Sequence, residues 1–236
     1  PNARAISLIK GIHFDEGGLV LISDIIKEGL DMDVSVLMGA NVANEVARDH
    51  FCEASIGTQN KETGAIMKQL FHYNTFRIQI VFDPVGVELC GALKNVVAIG
   101  AGFCDGLGFG GNTKAAIIRL GLNEMLKFAT KFYSGVKEST LLESCGVADL
   151  ITTCYNGRNR KCAEAFVKTG KAWGVLEEEL LGGQMLQGTL TAKEVHKLLV
   201  ADGSINEFPF FEKVYKISYD GMEPAEIVNF YDEDLH

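Results

Sequence analysis

Lys94 has the sequence setting that most strongly suggests chemistry. It lies in LCGALKNVVAIGAG (89–102), where every neighbour except Asn95 is apolar or small. A lysine in such a run is partly desolvated, and desolvation lowers its pKa toward the range that a general acid or base requires. At helical spacing Gly91, Asn95, Ala98 and Gly102 form a stripe of small residues that leaves room for another backbone or a ligand. A lysine that snorkels out of a core helix would give the same pattern, and spacing alone leaves both readings open.

A second constellation occupies CGVADLITTCYNGRNRK (145–161). Asn156-Gly157 is a turn signal, and Arg158, Asn159 and Arg160 fall where the next helix begins. Free N–H groups at a helix start together with a guanidinium fork suit a phosphate. Basic residues beside a turn are commonly only solvated, yet three of them in four positions stand out in a chain of net charge −9 and favour an anion site. Two further candidates follow apolar runs: Lys10-Gly11 after ISLI, and Gly39-Ala40-Asn41 after VSVLM. Residues at the carboxyl ends of strands line the ligand crevice of open α/β sheets. The alternative is a solvated loop lysine and a helix N-cap at Asn41.

Other signals are weak. Gly106-x-Gly108-x-x-Gly111 has the letters of a dinucleotide loop but follows a helical pattern rather than a strand, so it reads as a loop between two helices. The histidines, at 13, 50, 72, 196 and 236, show no metal-ligand spacing, and no metal is expected. Neither a G-x-S-x-G elbow nor a P-loop is present.

The elements that must carry these residues change character along the chain. Strand-like runs at 5–9, 34–38, 53–57 and 76–82 alternate with helical stretches near 17–29, 41–49 and 61–72. This βαβαβαβ order predicts an open, mostly parallel sheet covered by helices. After Asp83-Pro84 the pattern is helical: near 84–104, 112–134, 139–145, 160–168, 176–182, 190–201, 208–217 and 223–230. The expected division is therefore an α/β part over 1–82 and an all-helical domain over 83–236.

Composition bounds the partners. With 236 residues, 47% hydrophobic and 22% charged, the chain reads as an ordinary globular protein, and no apolar run approaches the ~18 residues of a membrane span, so neither membrane insertion nor disorder is expected. The net charge of −9 argues against nucleic acid and anionic membranes, which require a basic face. An anionic substrate therefore needs a local basic pocket. Six cysteines without a C-x-x-C pair, four of them in apolar or small-residue segments, fit reduced core thiols and a cytosolic compartment. The chain starts at Pro1 and runs straight into a strand-like segment, so a natural N-terminal portion is expected to be missing.

The segments SLIKG (7–11), SVLMGANVANEVA (35–47), ELCGALKNVVAIGAGFCDGLGFG (88–110), NTKAAIIRLGL (112–122), LESCGVADLITTCYNGRNRK (142–161) and GQMLQG (183–188) resemble the cytosolic, eukaryotic type of NAD-dependent glycerol-3-phosphate dehydrogenase. The resemblance runs over nearly the whole chain but lacks the family's first βαβ unit with its glycine-rich loop. It implies the C-terminal half of a Rossmann-type doubly wound sheet followed by a helical substrate domain. It also implies NAD as cofactor, a phosphorylated triose as substrate, a cytoplasmic location and a homodimer formed through the helical domain.

By the same resemblance Lys94 is the acid/base and Lys10 a second active-site lysine. Asn41, Asn95, Asp149 and Thr153 are the surrounding polar groups. Arg158 and Asn159 are the phosphate clamp, and Ala43, Arg158 and Gln187 are cofactor contacts. Met185, Gly111 and Asn156 depart from the family pattern, Met185 removing a usual lysine near the cofactor. With no pyrophosphate loop, this chain alone is expected to bind NAD poorly and to be nearly inactive. Two other readings stay open: a different two-domain hydroxyacid dehydrogenase, and a non-catalytic helical interaction module.

Overall fold

A computed structural model describes residues 3–15 and 18–230, which fall into two compact units. The described residues within 1–92 and 126–149 form the first, and those within 93–125 and 150–236 the second. Two long helices, α4 (Pro84–Gly106) and α5 (Gly111–Phe132), contribute to both.

The first unit contains a four-stranded sheet in the order β1 (Ala5–Ser7), β4 (Val34–Met38), β5 (Cys52–Gly57), β6 (Phe76–Val81). β1 runs parallel to β4 and β5 parallel to β6, whereas β4 and β5 are antiparallel. A parallel crossover needs a substantial helix, and the segment between β4 and β5 holds only the short α2 (Ala43–Val46), so the chain turns back instead. Leu37, Ala54, Ile56 and Ile78 from the strands meet Met67 of α3 (Lys61–Phe71) in the core under the sheet.

One expectation for this unit is corrected. The helix expected from residue 17 begins at Ile22, as α1 (Ile22–Leu30); residue 17 itself lies outside the described residues. Before it stands an antiparallel hairpin of β2 (Ile12–Asp15) and β3 (Gly18–Leu21), paired Ile12 to Leu21 and Asp15 to Gly18. Apolar runs flanking a Gly-Gly pair are a hairpin signal, and they outweigh the helical reading of the same residues.

The second unit is helical among its described residues. Beyond its parts of α4 and α5 it holds most of α7 (Asp149–Asn156), then α8 (Arg158–Thr169), α9 (Trp173–Leu181), α10 (Gln187–Asp202) and α11 (Pro209–Tyr219). Glu124 of α5 is buried because its carboxylate accepts from Phe210 N and Phe211 N, at 2.7 and 2.9 Å, two first-turn groups of α11 without an intrahelical acceptor. Phe166 and Trp173 stack at 4.3 Å between α8 and α9.

Two other departures concern helices. The stretch expected as one helix over 139–145 is α6 (Glu138–Leu141) followed by a π-helical turn (Ser144–Ala148), and α7 was not anticipated as a helix. Helix α4 also corrects the view that no apolar run has the length of a membrane span: its length and mean hydropathy suffice. The apolar window is buried throughout, as in a core helix.

Candidate active site

Lys10 is organised within the first unit by three acceptors. Its Nζ donates to Gly39 O at 3.0 Å, Asn41 Oδ1 at 3.2 Å and Asp149 Oδ2 at 2.9 Å. That equals the number of hydrogens on an ammonium group. The Asp149 side chain is only 4% exposed while that of Lys10 is 30% exposed, so the buried carboxylate holds a cation that still reaches solvent. Lys10 is therefore not a freely solvated loop lysine. Nor is Asn41 a helix cap: Val42 occupies that position before α2, and the Asn41 side chain is turned to Lys10.

The local chain makes this geometry necessary. At Gly39 an added Cβ would lie 2.5 Å from Ala54 Cα and 2.6 Å from Glu53 O, so only glycine lets the segment after β4 press against β5. From the other side, Ser144 Oγ donates to Glu53 O at 2.8 Å and Cys145 N to Ser55 Oγ at 3.2 Å. These bonds anchor the π-helical turn on the same strand and set the height at which Asp149 leaves it.

The second unit holds the other lysine. Lys94 is 4% exposed, and its Nζ donates to Thr153 Oγ1 at 2.8 Å. The snorkelling alternative thus fails. Asp149 and Thr153 are four residues apart on α7, so this one helix carries an acceptor for each lysine. Beside Lys94, Asn95 Oδ1 accepts from Asn159 Nδ2 at 3.0 Å, and Asn159 Oδ1 accepts from Gly188 N at 2.9 Å. At Gly102 the small-residue stripe admits backbone: a Cβ there would lie 2.4 Å from Arg160 O, so α8 sits directly on α4.

The basic cluster at the start of α8 divides. Gly157 is the N-cap without a side-chain cap, and Arg158 is exposed, with its guanidinium bonded to Gln184 Oε1. Arg160 instead turns to Asp105 at 3.0 Å and to Glu164, while Lys114 takes the other side of Asp105 at 2.7 Å. The anion site read from three basic residues therefore reduces to Arg158 and Asn159, with Lys161 exposed. Asp105, Lys114, Gln184 and Gly188 were missed. Only Gly188 had a usable signal, as a residue near a helix start, where N–H groups need acceptors.

Ala43, Arg158 and Gln187 are all exposed. Arg158 and Gln187 supply the donors that the phosphates and carboxamide of a nicotinamide dinucleotide need. The described residues contain no G-x-G-x-x-G turn leading from a strand into a helix; the one match lies between α4 and α5. Thiol chemistry is disfavoured: burial raises Cys104 to about 12, and a hydrogen bond with Cys145 together with burial raises Cys90 well above its usual value. All six cysteines are buried, and none is in a disulfide. Among the described residues no group of three or more His, Cys, Asp or Glu could hold a metal ion.

Comparison with known proteins agrees over both units. The family models described as the C-terminus and N-terminus of NAD-dependent glycerol-3-phosphate dehydrogenase match residues 83–229 and 1–64. The chain is 57% identical over 229 residues to the cytoplasmic NAD(+) glycerol-3-phosphate dehydrogenase of Homo sapiens, covering 97% of this chain and 66% of that protein. It is 58% identical over 229 residues to the glycerol-3-phosphate dehydrogenase 1-like protein of Xenopus tropicalis, covering 97% and 65%. The solved glycerol-3-phosphate dehydrogenase of Plasmodium falciparum superposes with a TM-score of 0.92 at 43% identity, covering 95% of this chain and 64% of that one. The solved structure of DsGPDH of Dunaliella salina gives 0.92 at 44%, covering 96% of this chain and 40% of that one. The chain thus spans about two thirds of the length of these curated relatives, a Rossmann-like part followed by the helical domain.

Proposed function

Because the chain belongs to the NAD-dependent glycerol-3-phosphate dehydrogenase family, we propose that it transfers a hydride reversibly between NADH and dihydroxyacetone phosphate, giving sn-glycerol 3-phosphate. The observation that carries this reading is the buried Lys94, bonded to Thr153 and adjacent in sequence to the Asn95–Asn159 pair. Lys94 Nζ gives its proton to the ketone oxygen at C2 and recovers it in the reverse direction. Thr153 Oγ1 aims the ammonium. Lys10, fixed by Asp149, stabilises negative charge developing on that oxygen, and Asn41 orients Lys10. Arg158 and Asn159 hold the phosphate. Ala43, Arg158 and Gln187 would contact the cofactor, which when bound supplies the hydride.

In this reading residues 1–82 belong to the NAD-binding domain and 83–236 form the substrate-binding and dimerisation domain. Two copies associate through the helices, and the location is cytoplasmic, as the names of the relatives suggest. A substrate panel with the natural-length protein tests the assignment. NADH oxidation is expected with dihydroxyacetone phosphate and not with 2-keto acids. Preference for a keto acid would favour a hydroxyacid dehydrogenase, since such a substrate offers a carboxylate rather than a phosphate.

A further inference from the structure

We propose that the backbone N–H of Gly188 is a positioning group that fixes the amide orientation of Asn159 and, through it, of Asn95. The Asn159 side chain then presents N–H rather than carbonyl oxygen to an anionic substrate group. The inference rests on reading Arg158 and Asn159 as the phosphate clamp.

An asparagine amide can face either way, and its orientation follows from its partners. Gly188 is the second residue of α10, where a helix N–H has no intrahelical acceptor. It is buried, so it demands an acceptor from elsewhere and cannot itself be reversed. Asn159 Oδ1 meets it at 2.9 Å. The other end of that amide is thereby committed as a donor, and it reaches Asn95 Oδ1 at 3.0 Å. Asn95 must then turn its own NH2 to its far side. One unambiguous donor thus sets two ambiguous groups in series, and at Asn159 a phosphate meets hydrogen where a reversed amide would offer a lone pair.

The residue type follows from the same contacts. A Cβ on residue 188 would lie 2.5 Å from Asn95 O, 2.8 Å from Asn159 Oδ1 and 2.8 Å from Ile99 Cγ1. Any side chain would lift the start of α10 away from the amide it orients.

The test is a double-mutant cycle in the natural-length protein, reading kcat/KM for dihydroxyacetone phosphate relative to phosphate-free dihydroxyacetone. Gly188 is replaced by glycolate, which exchanges the peptide N–H for an ester oxygen of nearly the same shape, in wild type and in Asn159→Ala. In wild type the preference for the phosphorylated ketone should fall about 10-fold or more, through KM with kcat nearly unchanged. In the Asn159→Ala background the ester should have no further effect. Equal losses in both backgrounds, or no loss in either, would overturn the proposal. If the ester protein does not fold, Asn159→Asp, which still accepts from Gly188 N but offers no N–H, should lose the preference at least as fully as Asn159→Ala, and retention of the preference would overturn the proposal. A wild type without preference for the phosphorylated ketone, or Asn159→Ala with the wild-type preference, would instead overturn the clamp reading and this inference with it.

Discussion

Thr153 is the side chain whose removal should reveal most about Lys94. Its hydroxyl, 2.8 Å from Nζ, is an acceptor that helps direct the buried ammonium. A lost hydrogen bond to a charged group costs about 1.5–3 kcal/mol, so Thr153→Val should lower kcat by about 10- to 100-fold while Thr153→Ser retains most of it. Steady-state kinetics with circular dichroism as a fold control would check this. Lys94 and Arg158 were readable as candidates because a lysine in an apolar run and basic residues at a turn are chemically out of place, whereas Asp149 entered only through the family resemblance. Thr153 and Asp149, which accept from Lys94 and Lys10, came with that resemblance, but other partners were not legible. Gly39 O, Gln184 and Gly188 N act through backbone or through a residue type common on surfaces, and only the fold brings them within hydrogen-bond reach.

Elements with a strong period and clear ends were read closely: α4 and α5, and strands β4, β5 and β6. The failures have local causes. DLITTCYN carries a β-branched Ile-Thr-Thr run that disfavours helix, and burial of Leu150, Thr153 and Cys154 on one face overrides it to give α7. Packing also makes element contacts testable. Gly39→Ala would push the segment after β4 off β5 and should destabilise the fold by about 1–3 kcal/mol in urea unfolding, a typical overpacking cost.

Glu88, fully buried on α4, ties down the start of α1 by accepting from Ser23 N at 3.0 Å and from Ser23 Oγ. Burial, opposed by these bonds, pushes its carboxyl above the usual range. A raised folded pKa means the native state holds the proton more tightly than the unfolded chain. The resulting stability is full below the unfolded pKa of about 4.3 and is lost as pH rises through the folded value. Glu88→Gln should remove this loss, so its melting temperature relative to wild type should climb from pH 4 toward neutrality. A constant difference across that range would contradict the argument.

For the whole molecule, two compact units and a family match over both are joined to a chain that spans about two thirds of its curated relatives' length. The cofactor contacts proposed here, Ala43, Arg158 and Gln187, are exposed, and no dinucleotide turn joins a strand to a helix among the described residues. NADH fluorescence titration should accordingly give this 236-residue chain an affinity at least about 10-fold below that of the natural-length protein. Comparable affinities would mean that the residues present suffice for the dinucleotide.

The central claim is that Lys94 is the acid/base for reduction of a ketone phosphate. Its most direct test is NADH oxidation driven by dihydroxyacetone phosphate, with the natural-length protein and its Lys94→Ala variant. The account predicts turnover in the first and a loss of about 100-fold or more in the second with the fold preserved. Turnover that survives the substitution would contradict the role of Lys94, and no turnover of this ketone phosphate by the unaltered protein would contradict the reaction itself.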